Sequence, residues 1–356
     1  MTGGSRKKFR FPQILNMMRT DTGAYKRKKR LSISALPNLL CTILICIACW
    51  YLGYDYWIGF PVRSDGSTSL LWNAICVFFT DKDYTYYTGF VLLLLAAAIL
   101  QRFNFRFVIC RGKTALPFLF FLLLNSVNPD FFPIRPVSVA VFLIIFALFE
   151  LFGSYQNQAA VGRMFNMTFF LCTGSLIWPN MLWFIPVFWI GMYQFRILNM
   201  RTFSATILGL FTFFLFLLGW SVWKRDSSVF VNMAQCLSDF RIIFVNETRL
   251  TEWPKPLCFF FFMIVLLFHI SSQEIESSIR TRHFLSFLFL FGFYSFIVSL
   301  FYATTFVDFE CIFYLSTALL ASYSFSGKYG AFSFSLYYLI IVVLIIFLFI
   351  RLWNFL

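Results

Sequence analysis

From residue 36 onward the chain is a series of apolar runs separated by short polar breaks, with none of the alternation that marks a half-buried strand. The runs are Leu36–Tyr54, Tyr84–Leu100, Thr114–Val127, Pro136–Phe152, Met164–Trp178, Met181–Phe195, Phe203–Trp223, Leu257–Ser271, Phe284–Ala303, Phe309–Tyr323 and Phe332–Ile350. A helix crosses a bilayer with about 20 apolar residues and satisfies its own backbone on the way, whereas an open strand does not. The pattern therefore predicts an all-α protein, a polytopic transmembrane helical bundle of about 10–11 spans, some of them short or re-entrant.

Thr114–Val127 is one of the short runs. Fourteen residues or so make a helix of roughly 21 Å, against a hydrocarbon core of about 30 Å. It either takes the preceding FRFVICRGK as an interfacial start or turns back before crossing. The segment around Trp178-Pro179-Asn180 raises the same question, and short helices of this kind need shielding neighbours or a thinned bilayer.

The polar segments complete the layout. Residues 1–35 form a basic tail carrying SRKKFR and YKRKKR, with no small-residue cleavage pattern after the first helix, and the tail reads as a cytoplasmic topogenic anchor. It also suits docking on anionic lipid or an acidic partner, each cation adding about 1 kcal/mol near a charged leaflet. Residues 36–351 form the transmembrane domain, with two large outer loops at about 55–83 and 224–256. Within the first loop, SLLWNAICVFF is apolar but too short to span, and it predicts a helix lying in the interface with Trp72 as anchor. The second loop predicts one or two small helices capping the bundle, and its Asn246 in NET fits a glycosylation acceptor in a secretory compartment.

Composition narrows the class. The chain is 60% hydrophobic and 22% aromatic, including 53 phenylalanines, and only 12% charged. A soluble domain is nearer a quarter charged, so the natural solvent here is lipid. With the N-terminus inside and the spans alternating, the tail cations, Arg102, Arg106, Arg111, Lys113, Arg163, Arg196, Arg201, Arg280, Arg282 and Lys328 share the cytoplasmic side, twenty of the 29 Lys and Arg. Most of the 15 acids fall on the other side. The net charge of +14 is then a topology signal under the positive-inside rule, and no basic soluble module exists to bind nucleic acid.

Motif chemistry is sparse. There is no Walker lysine loop, G-x-G-x-x-G or H-E-x-x-H, and two histidines, His269 and His283, do not support a zinc hydrolase or a histidine triad. Cys46 and Cys49 form C-x-x-C inside an apolar run, where buried or lipid-facing thiols are the better reading, and no metal site is assigned.

The carboxylates of the first outer loop are the candidate catalytic groups: Asp55, Asp81 and Asp83. Asp81 and Asp83, in TDKDYTYYTG, are close enough to share a divalent cation with a substrate phosphate, or they simply cap the start of the next helix. Asp55, just past the first helix, has the position of a general base for an acceptor hydroxyl. Substrate-binding candidates are Arg63, Asp130 and Arg135. Arg135 in NSVNPDFFPIRP has the planar donor fork that holds phosphate, and Pro136 beside it reads equally well as the first residue of a helix. Glu150 is the most membrane-embedded acid, near the inner end of its span, and no ladder of intramembrane charges marks an ion-coupled carrier.

The stretch from LNSVNPDFFPIRP through FELFGSYQNQAAVGRMFN to FFLCTGSLIWPNMLWFIPVFWIGMYQFR, with the QRFNFRFVICRGK turn before it, resembles an uncharacterised family of multi-span inner-membrane proteins of Bacteroidota. More distantly, the order of outer loop, descending helix, polar turn and rising helix resembles the membrane core of GT-C glycosyltransferases. That resemblance implies a polyprenyl-phosphate sugar donor and an acid in the first outer loop, here Asp55, Asp65, Asp81 or Asp83. Three readings follow: a lipid-linked saccharide transferase at the outer face of the inner membrane, a non-catalytic subunit of an envelope complex, and a transporter or lipid flippase. Reporter fusions at the Arg111 turn and at the 55–83 loop are expected to lie on opposite sides of the membrane, the first sharing the side of the N-terminal tail.

Overall fold

The computed structural model describes residues 36–57, 69–79, 82–112, 114–128, 131–132, 134–239, 254–271, 278–302, 305–326, 335 and 337–346. Among these the fold is an all-α helical bundle with no β-sheet. In chain order the helices are α1 (Leu36–Trp57), α2 (Leu70–Cys76), α3 (Lys82–Phe107), α4 (Leu116–Ser126), α5 (Pro136–Gly153) and α6 (Val161–Ser175). A 3-10 turn at Pro179–Phe184 leads into α7 (Ile185–Gln194), α8 (Met200–Lys224), α9 (Ser228–Ser238), α10 (Pro254–Ser271), α11 (Ile279–Phe301) and α12 (Phe306–Ser324). A last apolar helix, α13, covers Tyr337–Ile346.

Among the described residues, five helices are long and apolar enough to cross a membrane: α3, α5, α8, α11 and α12. Shorter apolar stretches lie at Leu40–Tyr54, Leu116–Ser126, Phe260–Ile270 and Tyr337–Ile346. A helix of 11 residues such as α4 reaches only about 17 Å, and it survives because ten of its residues are buried by neighbours.

Local chemistry explains several helix boundaries. Asn199 caps α8 by accepting the Thr202 N–H at 2.8 Å, while the Asn199 N–H donates to the Thr202 hydroxyl at 2.9 Å. Ser278 does the same for α11 with the Thr281 N–H at 3.2 Å. α5 begins with proline at its first position, where the missing N–H costs nothing. α3 runs seven residues past the apolar run that predicts it. Its extra turns are amphipathic: Phe103 and Phe107 are buried while Arg102, Phe105 and Arg106 are exposed.

α12 is the centre of the bundle. Every residue from Asp308 to Ser324 is buried, and the helix packs on α4, α5, α10 and α11. Three of its interior hydroxyls are satisfied locally: Ser316 and Thr317 donate to the Phe313 carbonyl, at 2.9 and 3.1 Å, and Ser322 donates to the Ala318 carbonyl at 2.5 Å. α11 approaches it closely at Gly292, where a methyl group would overlap the Ser316 hydroxyl. In lipid the tails are as apolar as the side chains, so this contact is held by van der Waals packing that only a small residue permits.

Between α3, α5, α7 and α11 lies a cluster of phenylalanines, with Phe152 and Phe284 at a ring separation of 4.4 Å and Phe103, Phe107, Phe149, Phe195 and Phe287 around them. Edge-to-face pairs of this kind contribute about 0.5–1.5 kcal/mol each beyond area burial. The α6–α7 hairpin starts and finishes beside this cluster, where the Gln156 N–H donates to the Phe195 carbonyl at 3.1 Å. Its turn lies at the opposite end, so the short helices around Trp178-Pro179-Asn180 run from one end of the bundle to the other and return.

Trp72 corrects the expectation of an interfacial anchor. It is 2% exposed and packs with Ile134 and Ile177, while the Leu71 N–H donates to the Leu176 carbonyl at 3.2 Å and the Ser69 hydroxyl to Ile177 at 2.8 Å. α2 is thus docked inward on the end of α6. α9, predicted as a capping helix, meets the 3-10 turn at that same end.

Gly292→Val is expected to overpack the α11–α12 contact at a cost of about 1–3 kcal/mol, visible as a lower thermal midpoint in detergent. Gly219→Val on α8, where no atom lies within 4 Å of the added carbon, is expected to leave the midpoint in place.

Candidate functional site

The two ends of the bundle carry opposite chemistry. One end gathers Arg102, Arg106, Arg111, Arg163, Arg196, Arg201, Arg280 and Arg282, at the C-termini of α3, α5 and α7 and the N-termini of α6, α8 and α11. The other holds the C-termini of α4, α6 and α11, the N-termini of α5 and α12, and the carboxylates Asp308 and Glu310. This second end is the candidate site.

Its foundation is the first turn of α12. A carboxylate there is favoured by the unpaired amides and dipole of the helix start, which partly offsets the cost of burying Asp308. Asp308 and Glu310 are each 5% exposed. Two residues apart on a helix, they face different neighbours. Asp308 accepts a hydrogen bond and ion pair from the Arg135 guanidinium at 3.2 Å, and Glu310 accepts from the Asn128 amide at 2.9 Å.

The segment between α4 and α5 is shaped to deliver both partners. Asn128 follows the last residues of α4, and Arg135 sits in an extended conformation just before α5, its own N–H donated to the Ser138 hydroxyl at 3.3 Å. The proline that follows fixes where the helix begins, so the guanidinium is projected toward α12. α1 is tied to the same place, because the Trp50 indole N–H donates to the Ser126 hydroxyl at 3.0 Å and the Trp50 ring lies 4.6 Å from Phe132.

Two further elements close the site. In the 3-10 turn, Asn180 donates to the Thr305 hydroxyl at 3.0 Å, just before α12. Trp178 stands edge-on to Phe309 at 4.8 Å, and Tyr302 lies 5.7 Å from Phe309. The indole N–H of Trp178 and the carbonyl oxygen of Asn180 are buried without a hydrogen-bond partner among the described residues. Burial pushes the Tyr302 phenol up to about 12, so it remains a neutral donor to the Leu237 carbonyl at 2.6 Å and fastens α9 over this end. α9 itself starts after Asp226, whose carboxyl is held below its ordinary value by hydrogen bonds from the Ser228 N–H and hydroxyl.

The structure places the sequence-derived candidates unevenly. Arg135 is in the site, joined to Asp308. Asp130, the candidate in the same stretch, lies outside the described residues, as do Asp81, Arg63 and Asp65. Asp83 is exposed in the first turn of α3, where the Tyr54 hydroxyl donates to it at 2.7 Å. Tyr54 in turn packs on the aromatic group of Trp50, Tyr86 and Phe132. Asp55 falls on α1, with its side chain outside the described set. Glu150 lies near the arginine end, 4.0 Å from Arg163, and Asn180 lies at the carboxylate end.

Asp308 and Glu310 were counted in the sequence only among the outer acids. The signal that marks them is FVDFECIFYL, in which two acids interrupt an apolar run with no glycine or proline to end the helix. Acids in that setting are helical and need partners.

Asp308→Ala is expected to destabilise the protein by about 2 kcal/mol, less than a fully buried pair because Arg135 keeps partial solvent access. Arg135→Met with Asp308→Leu is expected to recover most of that loss, and a double-mutant cycle on thermal midpoints in detergent measures the coupling. Compared with known proteins, the chain matches no family model, no curated protein and no solved structure.

Proposed function

We propose that this integral membrane protein handles a phosphate-bearing lipid at the carboxylate end of the bundle, in the manner of a transferase acting on a polyprenyl-phosphate-linked saccharide. The observation that supports the reading is the joining of Arg135 to Asp308 beside Glu310 at the end of the most buried helix. An arginine fork recognises phosphate oxygens in pairs, and a carboxylate partner fixes its plane. Glu310, near Arg135 but held by Asn128, is the group suited to take a proton from an acceptor hydroxyl. Asp55 on α1 and Asp83 at the start of α3, with Asp81 two residues before it in the sequence, are acids that suit a divalent cation as cofactor. The same proposal puts the protein in the inner membrane, with the N-terminal tail in the cytoplasm and the carboxylate end outside, following the charge distribution.

A second reading, a non-catalytic subunit of an envelope complex, is favoured by one observation: Asp308 and Glu310 each already have a protein partner. On that view the cluster is a lock that holds α12 against α4 and α5.

The full-length protein purified in mild detergent and mixed with polyprenyl phosphate separates the two by native mass spectrometry. The transferase reading expects a retained lipid, with affinity roughly tenfold or more lower in Arg135→Met and partly restored in Arg135→Lys. Equal retention by wild type and Arg135→Met, together with stoichiometric co-purifying helical subunits, would move the assignment to the second reading.

A further inference from the structure

We infer that the opposite, arginine-lined end carries a binding site for anionic phospholipid headgroups, centred on Arg106 and Arg280. Both side chains are exposed and both are held against aromatic rings. Arg106 lies over Phe149 at 5.9 Å, and Arg280 lies over Phe284 at 5.1 Å and Tyr155 at 5.8 Å. Those rings belong to one group, since Phe107 lies 5.7 Å from Phe149 and 6.1 Å from Phe284. Two guanidinium groups from different helices therefore straddle a single phenylalanine cluster.

Three features identify the occupant. The first is charge. Among the described residues, Glu150 is the one carboxylate at this end and faces Arg163 at 4.0 Å, while neither Arg106 nor Arg280 is ion-paired with it. Glu274 and Glu276, which precede α11 in the sequence, lie outside the described residues, and eight arginines outnumber the three acids. The second is the cation type. All eight described cations here are arginines, whose flat fork takes two phosphate oxygens at once and, when stacked on a ring, is already oriented to do so. The third is the setting. Phe105 on α3, Val108 after it and Ile279 on α11 are exposed by 50%, 66% and 69% beside these arginines. Apolar side chains at a bundle rim belong among acyl chains, with the neighbouring cations at the level of the phosphates. A soluble acidic peptide would match the charge but would leave these side chains in water.

The site is distinct from the carboxylate end, and its test is independent of that assignment. Full-length protein in mild detergent is titrated with phosphatidylglycerol, phosphatidylcholine or inorganic phosphate, and bound species are counted by native mass spectrometry. Phosphatidylglycerol is expected to be retained in preference to phosphatidylcholine, less so as salt is raised. Arg106→Gln with Arg280→Gln is expected to lower its apparent affinity roughly tenfold or more. The corresponding double lysine variant is expected to recover only part, because the charge returns without the fork. Thermal midpoints in lipid-free detergent should match wild type, which shows the variant to be folded. Should that midpoint fall, the salt series on wild-type protein alone decides. Equal retention of the two lipids, an unchanged affinity in the double glutamine variant, or displacement by inorganic phosphate or an acidic peptide at equal concentration would overturn the assignment.

Discussion

A carboxylate cannot enter a dry protein interior alone, and that constraint organises this bundle. α12 is buried over nearly its whole length, yet it brings Asp308 and Glu310 with it. Moving such an ion out of water costs several kcal/mol even after relaxation, and the cost is met only where a partner waits. Arg135 and Asn128 are those partners, and both come from the segment between α4 and α5. The ion pair and the amide bond therefore set the height and rotation of α12 against α4 and α5. Everything that packs on α12, including α11 through Gly292, takes its position from that.

Away from this end the protein solves the opposite problem, cohesion without a hydrophobic drive. Lipid surrounds the bundle with material as apolar as its own side chains, so burying phenylalanine gains little by transfer alone. Shape does the rest. The rings of Phe103, Phe107, Phe149, Phe152, Phe195, Phe284 and Phe287 meet mostly edge-on or tilted, and glycines mark where helices come closest. The helices differ greatly in what they give to this core. α12 gives almost everything, while α8 leaves Phe211, Leu215, Phe216, Trp220 and Trp223 outside. An apolar face of that kind is ordinary for a helix bordered by lipid.

The helices themselves were legible in the sequence, because an apolar run between polar breaks has one solution in a membrane. Two kinds of error remained. Ends were misjudged where a helix becomes amphipathic: Gln101 and Arg102 look like a break, but Phe103 and Phe107 still turn inward. Long-range partners were missed because sequence proximity does not report contact. Asp308, a carboxylate that meets Arg135, is 173 residues away from it. Trp72 failed for a related reason, since an interfacial tryptophan and one packed on a helix end have the same local sequence. The buried pair in FVDFECIFYL was readable in principle, had the lack of a helix breaker been weighed more than the presence of charge.

The separation of charge between the two ends has a consequence for chemistry. Arginines at one rim and buried carboxylates at the other give the bundle a polarity that each helix crosses in turn. At the arginine rim the cations are exposed and stacked on rings, a state suited to exchanging ligands with the surface. At the carboxylate rim Asp308 and Glu310 are buried and paired, so any exchange must first loosen a protein contact. An exposed guanidinium holds its ligand weakly and reversibly, as a headgroup site requires. A half-buried guanidinium already paired with a carboxylate, as Arg135 is with Asp308, exchanges that partner most readily for an anion of matching geometry, such as phosphate. The physical difference between the rims is therefore one of burial as much as of sign.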